Sequence, residues 1–264
     1  MSTAVPGNAL VRRHIHEGVC TLTLANPGAR NALSGAMMAA LQQAFDDVAL
    51  ERAARVVVLA AEGPAFCAGH DLKELRANPD SAFHAALMEQ CVRLMLSIVR
   101  CPKPVIARVH ATATAAGCQL VASCDLAVSA DSARFATPGV NIGLFCSTPM
   151  VALSRNLARK HAMEMLLTGD MVDADTAWRM GLVNRVVPAE QLDATVAEFA
   201  SRIASKSAHT LATGKKAFYA QADMTLEDAY RYAAGVMVRN LQAEDAAEGI
   251  AAFIDKRAPC WQDR

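Results

Sequence analysis

Residues 110–147, HATATAAGCQLVASCDLAVSADSARFATPGVNIGLFCS, carry two small-residue turns set between apolar segments: Ala115-Ala116-Gly117 and Thr137-Pro138-Gly139. An apolar strand is expected before the first turn, from Pro104 to Val109, and a short helix after it, from Cys118 to Ser123. A strand feeding such a turn and then a helix N-terminus leaves backbone N–H groups facing whatever lies in front. A carbonyl oxygen placed there would meet half of an oxyanion hole. Small residues also fill core turns too tight for anything larger, and this stretch alone allows both readings.

Upstream, the same grammar recurs. Val19 to Ala25 alternates and is rich in β-formers, so it reads as a strand, and Asn26 to Asn31 is a turn cluster. A helix is expected from near Ser34 to around Glu51–Ala53, with Met37, Leu41, Phe45 and Val48 on its inner face. Arg55 to Ala61 is a continuous apolar strand of the kind buried on both faces. The segment Ala65 to Leu72 reads as a loop around Gly69, and a longer helix follows from Ser81 to Arg100. Strands alternating with helices imply parallel neighbours and an α/β fold. After Thr148 the strand signal nearly vanishes and helical candidates run to the end of the chain.

At 264 residues, 53% hydrophobic and 20% charged, the composition is that of an ordinary globular protein with a sizeable core. Its 26 basic and 26 acidic residues balance, with no Lys/Arg-rich run, which argues against nucleic acid or an anionic membrane as partner. The run MSTAVPGNALVRRHIHEG has no apolar core followed by a cleavage pattern, so no secretory signal is expected, and the cytoplasm is the expected setting. The eight cysteines are scattered without a CxxC pair and read as small buried hydrophobes; no metal site is expected. His14 and His16 share one face of a strand, which reads as solvated surface.

Six segments in order then carry a resemblance: LTLANPGARNALS, VVLAAEGPAFCAGHDLKEL, PVIARVHATATAAGCQLVASCDLAV, ARFATPGVNIGL, LLTGDMVDADTAWRMGLVNRVVP and EGIAAFIDKR. Across almost its whole length the chain resembles the enoyl-CoA hydratase/isomerase (crotonase) superfamily, and GHDLKEL with FATPGVNIGLFCSTP resembles one branch of it. The resemblance implies an α/β spiral of ββα repeats over residues 1–205 and a helical oligomerisation region over residues 206–264, giving homotrimers or hexamers. It implies an acyl-CoA or enoyl-CoA thioester as ligand, with coenzyme A as part of the substrate and no separate cofactor. Its carbonyl oxygen would be held by the backbone N–H groups of His70 and Ala116. Arg30, Ala32, Ala68, Asp71 and Leu72 would lie along the coenzyme, with Phe253 and Lys256 reaching the coenzyme of a neighbouring subunit. Without the resemblance, Arg30 reads as a loop arginine in solvent and Phe253 as a core aromatic.

Three positions depart from the family pattern. The carboxylates that position water and transfer protons in hydratase relatives fall at Gln119 and Gly139 here, and a further acidic position falls at Ser147. A glutamine orients water but takes no proton at any useful pH. A positioned acid or base contributes about 10²–10⁴-fold, so hydration is expected to be weak or altered, and a non-catalytic acyl-CoA sensor is the alternative. The side chain of His70 offers a base and Cys146 a nucleophile, against duller roles in packing and as a pocket wall. Asp71 also reads as a helix cap.

Overall fold

The computed structural model describes residues 10–264; the first nine residues of the stretch read for a signal lie outside the described residues. Among the described residues ten strands form two sheets. The larger contains β1 (Val11–His16), β2 (Val19–Leu24), β3 (Val56–Ala61), β5 (Val105–Val109), β7 (Leu126–Ala130) and β10 (Arg185–Val187), in that order across the sheet. The smaller is ordered β4 (Ala65–Cys67), β6 (Thr112–Thr114), β8 (Arg134–Ala136) and β9 (Val172–Asp173). Three consecutive units, β3–β4, β5–β6 and β7–β8, each place one strand in the large sheet and the next in the small one. Within each sheet those three strands are parallel. The chain therefore winds as a spiral of ββ turns, each followed by helix.

The helices close the turns of the spiral. They are α1 (Gly35–Leu50), α2 (Leu72–Ala77), α3 (Ser81–Arg100), α4 (Ala116–Ser123), α5 (Ser147–Asn156), α6 (Arg159–Thr168) and α7 (Ala174–Met180). α8 (Leu192–Ala204), α9 (Ala208–Gln221), α10 (Leu226–Leu241) and α11 (Glu244–Ile254) complete the chain. Every residue of β3 is buried, as a continuous apolar run requires when both faces are covered. Val57, Leu59 and Ala61 pack toward α1 and α3, whereas Val56 and Val58 pack with Leu192, Val196 and Ala200 of α8. α3 is long and apolar enough to cross a membrane by length and composition, yet Leu87, Cys91, Leu94 and Ile98 pack in the main core.

Expectation and structure differ at several places. The Ala65–Leu72 loop contains β4 and ends in α2, whose six residues are too few to show a helical period. α4 starts at Ala116, two residues before the expected Cys118. Past Thr148, the three-residue β10 joins the large sheet beside β7, a long-range pairing no local pattern announces. Seven cysteines are buried, as expected, but Cys260 is exposed. His14 and His16 are exposed, their rings stacked 6.4 Å apart.

The later helices are tied down by polar contacts. Lys215 Nζ of α9 is 2.6 Å from Asp125 Oδ2 and donates to the Ile98 and Lys103 carbonyls at 3.1 Å, capping the end of α3. Asp125 also accepts from Tyr219 Oη at 2.9 Å and from the Val105 N–H at 2.7 Å. Lys215→Met should destabilise the protein by about 3 kcal/mol, because it strands a largely buried carboxylate. Urea titration checks this, and a loss under 1 kcal/mol would contradict it. The C-terminal tail folds back: Asp263 pairs with Arg55 at 2.7 Å, and the Trp261 indole donates to the Ser205 carbonyl at 2.8 Å.

Candidate functional site

Three turns follow the three parallel strands of the small sheet: residues 68–71 after β4, Ala115 after β6, and 137–139 after β8. The first is braced by the Asn26–Leu33 turn. Ala68 N–H donates to the Arg30 carbonyl at 3.1 Å, and Leu33 N–H to the Gly69 carbonyl at 2.7 Å. That turn is built around Asn31, fully buried at φ 53°, a left-handed conformation asparagine tolerates. Its Oδ1 accepts from Asn26 N–H at 2.9 Å, while Nδ2 donates to the Glu62 and Ala65 carbonyls at 2.8 and 2.9 Å. The sequence marks Asn31 only as a turn former; the carbonyls its Nδ2 reaches lie more than thirty residues away.

The bracing gathers most of the expected coenzyme residues along one edge. Arg30 is exposed at φ 50°, and among the described residues no carboxylate lies within ion-pair distance of it. Ala32, Ala68 and Asp71 are half-buried and Leu72 is exposed. Asp71 does cap α2, its Oδ1 accepting from the Lys73 and Glu74 N–H groups at 2.9 and 3.2 Å. Phe253 and Lys256 are exposed at the end of α11, which packs on α9 and α10; within one chain they do not join the three turns.

The first and second turns touch. Gly69 has φ +91°, and a Cβ there would lie 2.8 Å from Ala115 Cβ and 3.3 Å from Ala116 N. A Cβ on Gly117 would sit 2.1 Å from the Cys67 carbonyl oxygen, so α4 packs directly on the backbone of β4. Among the described residues no backbone acceptor takes the N–H of His70 or of Ala116. The His70 ring is packed rather than free: Nδ1 lies 3.3 Å from the Leu33 carbonyl, which makes it the donor and leaves Nε2 an acceptor with no partner. Burial lowers the pKa of His70 below its ordinary value, against the opposing pull of the Leu33 carbonyl and Glu74, so the imidazole is neutral at pH 7.

Ala115 carries the strain of the turn. Its φ of 50° and ψ of −121° suit glycine, and such residues cost on the order of 1–3 kcal/mol. Ala115→Gly should stabilise the protein by about 1 kcal/mol, measured by thermal melting, once glycine's extra chain entropy is subtracted. An unchanged or lowered midpoint would contradict that.

The third turn lies against the segment that follows it. A Cβ on Gly139 would meet the Leu144 carbonyl oxygen at 2.6 Å and Cys146 Sγ at 2.9 Å. Cys146 is buried, and burial raises its thiol pKa despite a hydrogen bond from the Gly139 backbone. It is a thiol at neutral pH, which fits a wall better than a nucleophile. Ser147 opens α5, and its hydroxyl donates to the Phe145 carbonyl at 3.3 Å. Gln119, one helical turn beyond Ala116, is 5% exposed. No cluster of three metal-ligating side chains occurs among the described residues. An open groove of about 1020 Å³ lies on the far face of the large sheet, between β1–β3 and α8, and none of these residues lines it.

The family described as Enoyl-CoA hydratase/isomerase matches residues 14–264. The chain belongs to the enoyl-CoA hydratase/isomerase family. Within it, enoyl-CoA hydratase domain-containing protein 3 of Mus musculus is 48% identical over 245 residues, covering 93% of this chain and 82% of the relative. The structure of the human protein of that name is 45% identical with a TM-score of 0.93, covering 96% of this chain and all of that one. An enoyl-CoA hydratase from Mycobacterium smegmatis is 53% identical with a TM-score of 0.94, over 96% and 99% of the two chains. These structures share the crotonase fold with this enoyl-CoA hydratase/isomerase family member, and the branch resembled in sequence is that of domain-containing protein 3. The cytoplasmic expectation is overturned, because the mouse, rat and human relatives are all named mitochondrial. A missing secretory pattern speaks only to the secretory route, so it held no signal for choosing between the cytoplasm and other compartments.

Proposed function

We propose that this family member binds a fatty acyl-CoA or enoyl-CoA thioester, its carbonyl oxygen accepting from the N–H groups of His70 and Ala116. The observation that supports this is the pair of unpartnered amides on two touching turns, one of them at the N-terminus of α4. An enolate formed next to a thioester puts its charge on that oxygen, and preorganised donors are worth roughly 3–4 kcal/mol each in comparable sites. The coenzyme lies along Arg30, Ala32, Ala68, Asp71 and Leu72, with the Arg30 guanidinium as a phosphate partner. Coenzyme A belongs to the substrate, and no separate cofactor is invoked.

With Gln119 and Gly139 where hydratases carry carboxylates, hydration is weak, and the protein works chiefly as a binder with residual lyase chemistry. The packing of Leu144 and Cys146 on Gly139 favours the second reading, a sensor that binds without turnover. The assembly is a homotrimer, alone or paired into a hexamer. α9 and α10 bury no residue, and Phe218, Tyr230, Met237, Val238, Phe253 and Ile254 are all more than half exposed, an apolar surface a partner copy would cover. Calorimetry with crotonyl-CoA and palmitoyl-CoA, beside a hydration assay and sedimentation, tests these statements. Micromolar binding with slow or absent hydration, in a trimer or hexamer, is expected; absence of thioester binding would refute the reading.

A further inference from the structure

The C-terminal tail is bound on one side to α11. Asp245, 1% exposed although it carries a carboxylate, accepts from the Gln262 and Asp263 N–H groups at 2.6 and 2.9 Å. Its own N–H donates to the Arg264 carbonyl at 3.1 Å. Gly249 stands inside the same helix, where glycine is a poor helix former. The Trp261 ring accounts for it: a Cβ at 249 would lie 3.2 Å from two of the ring carbons.

On its other side the tail is bound to the corner between α8 and α9. The Trp261 indole reaches the Ser205 carbonyl there, and Asp263 Oδ1 accepts from the Ala208 N–H at 2.8 Å, at the start of α9. The Asp263 carboxylate takes two N–H groups of Arg55, at 2.7 and 3.1 Å. Arg55, which precedes β3, is itself fixed by the Ala204 and Lys206 carbonyls at 2.8 and 2.6 Å. Asp263 sits at φ 59°, a left-handed conformation uncommon outside glycine. Hydrogen bonding from the Arg55 guanidinium holds its carboxyl below the usual carboxylate range, so the group is ionised at neutral pH.

Apolar burial contributes little to this part of the chain. Neither α9 nor α10 has a buried residue, and α11 has only Asp245 and Ala252. Among the described residues, Arg55–Asp263 is the one ion pair that joins α11 or the tail to the rest of the chain; Arg257–Glu248 and Arg264–Glu244 lie inside the unit that α11 and the tail form. Segments with so few buried contacts open at the low end of a protein's range of stabilities.

We propose that Asp263 and Arg55 form an ionic latch, whose release lets α11 and the tail leave the body as one unit while the spiral stays folded. Asp245 and Trp261 keep the tail on the helix, so the two travel together, and the pivot is the α10–α11 junction at Gln242 and Ala243. All of these contacts lie within one chain, so the latch stands apart from the ligand and the assembly proposed above.

Hydrogen exchange of the full chain tests this, with Asp263→Ala and Arg55→Met each removing one half of the latch. The amides of α11 should exchange about tenfold faster in either variant, the scale of a lost hydrogen bond to a charged group, while those of α1, α3 and β3 keep their wild-type rates. In a Trp178→Phe background Trp261 is the remaining tryptophan, and its emission should move to the red in both variants as the indole leaves Ser205 for water. Should Arg55→Met fail to fold, Asp263→Ala alone decides. Unchanged exchange in α11, an unmoved Trp261 emission, or an acceleration spread equally over α1, α3 and β3 would overturn the proposal.

Discussion

Replacing Gly117 with alanine should cost about 4 kcal/mol or more of folding stability and abolish thioester binding. The added methyl would sit 2.1 Å from the Cys67 carbonyl oxygen and 2.7 Å from its carbon. Neither partner is a flexible side chain. Relief requires α4 to move off β4, which carries the Ala116 amide away from that of His70. The damage is therefore both thermodynamic and functional, unlike a core cavity remote from the site. Guanidinium unfolding and titration with crotonyl-CoA measure the two effects, and a midpoint within a few tenths of a kcal/mol of wild type would show the packing to be looser than described.

Returning a glutamate to each family position should give opposite outcomes. Gln119→Glu replaces an amide by a carboxylate of the same shape and should raise crotonyl-CoA hydration by about 10²-fold, the lower end of what a positioned base contributes. Gly139→Glu should raise nothing and cost about 3 kcal/mol, because Leu144 and Cys146 occupy the space its Cβ needs. The double variant should be no faster than Gln119→Glu alone. Turnover assays and melting curves on the three variants separate these results. A stable, active Gly139→Glu protein would mean that the Leu144–Cys146 segment yields easily, and a flat Gln119→Glu rate would overturn the proposal that position 119 limits hydration.

Much of the scaffold can be read from the chain. The inner faces of α1 and α3 follow their 3.6-residue spacing, and β3 announces its double burial by its unbroken apolar run. The turn at Ala115–Gly117 stands out because a small-residue cluster interrupts that pattern. What stays hidden depends on through-space neighbours. Nothing local says that Asn31 bonds across to Glu62 and Ala65, that β10 closes the sheet beside β7, or that Cys146 sits over Gly139. The free state of the two amides is hidden as well, since it depends on what fails to arrive. Gln119 and Gly139 show the division: the sequence identifies both as departures, and only the fold shows that the space a side chain at 139 needs is already taken by Leu144 and Cys146.

The spiral also bears on how chemistry is distributed. Each corner of the site hangs from its own strand, β4, β6 or β8, and the three strands are joined side by side by parallel pairing, with β6 in the middle. The side chains at one corner can change while the others keep their aim only where the close approaches at Gly69 and Gly117 are left untouched. The aim of a backbone N–H at such a turn is then set by the winding of the chain, and the chemistry of the neighbouring side chains can vary as long as their bulk does not.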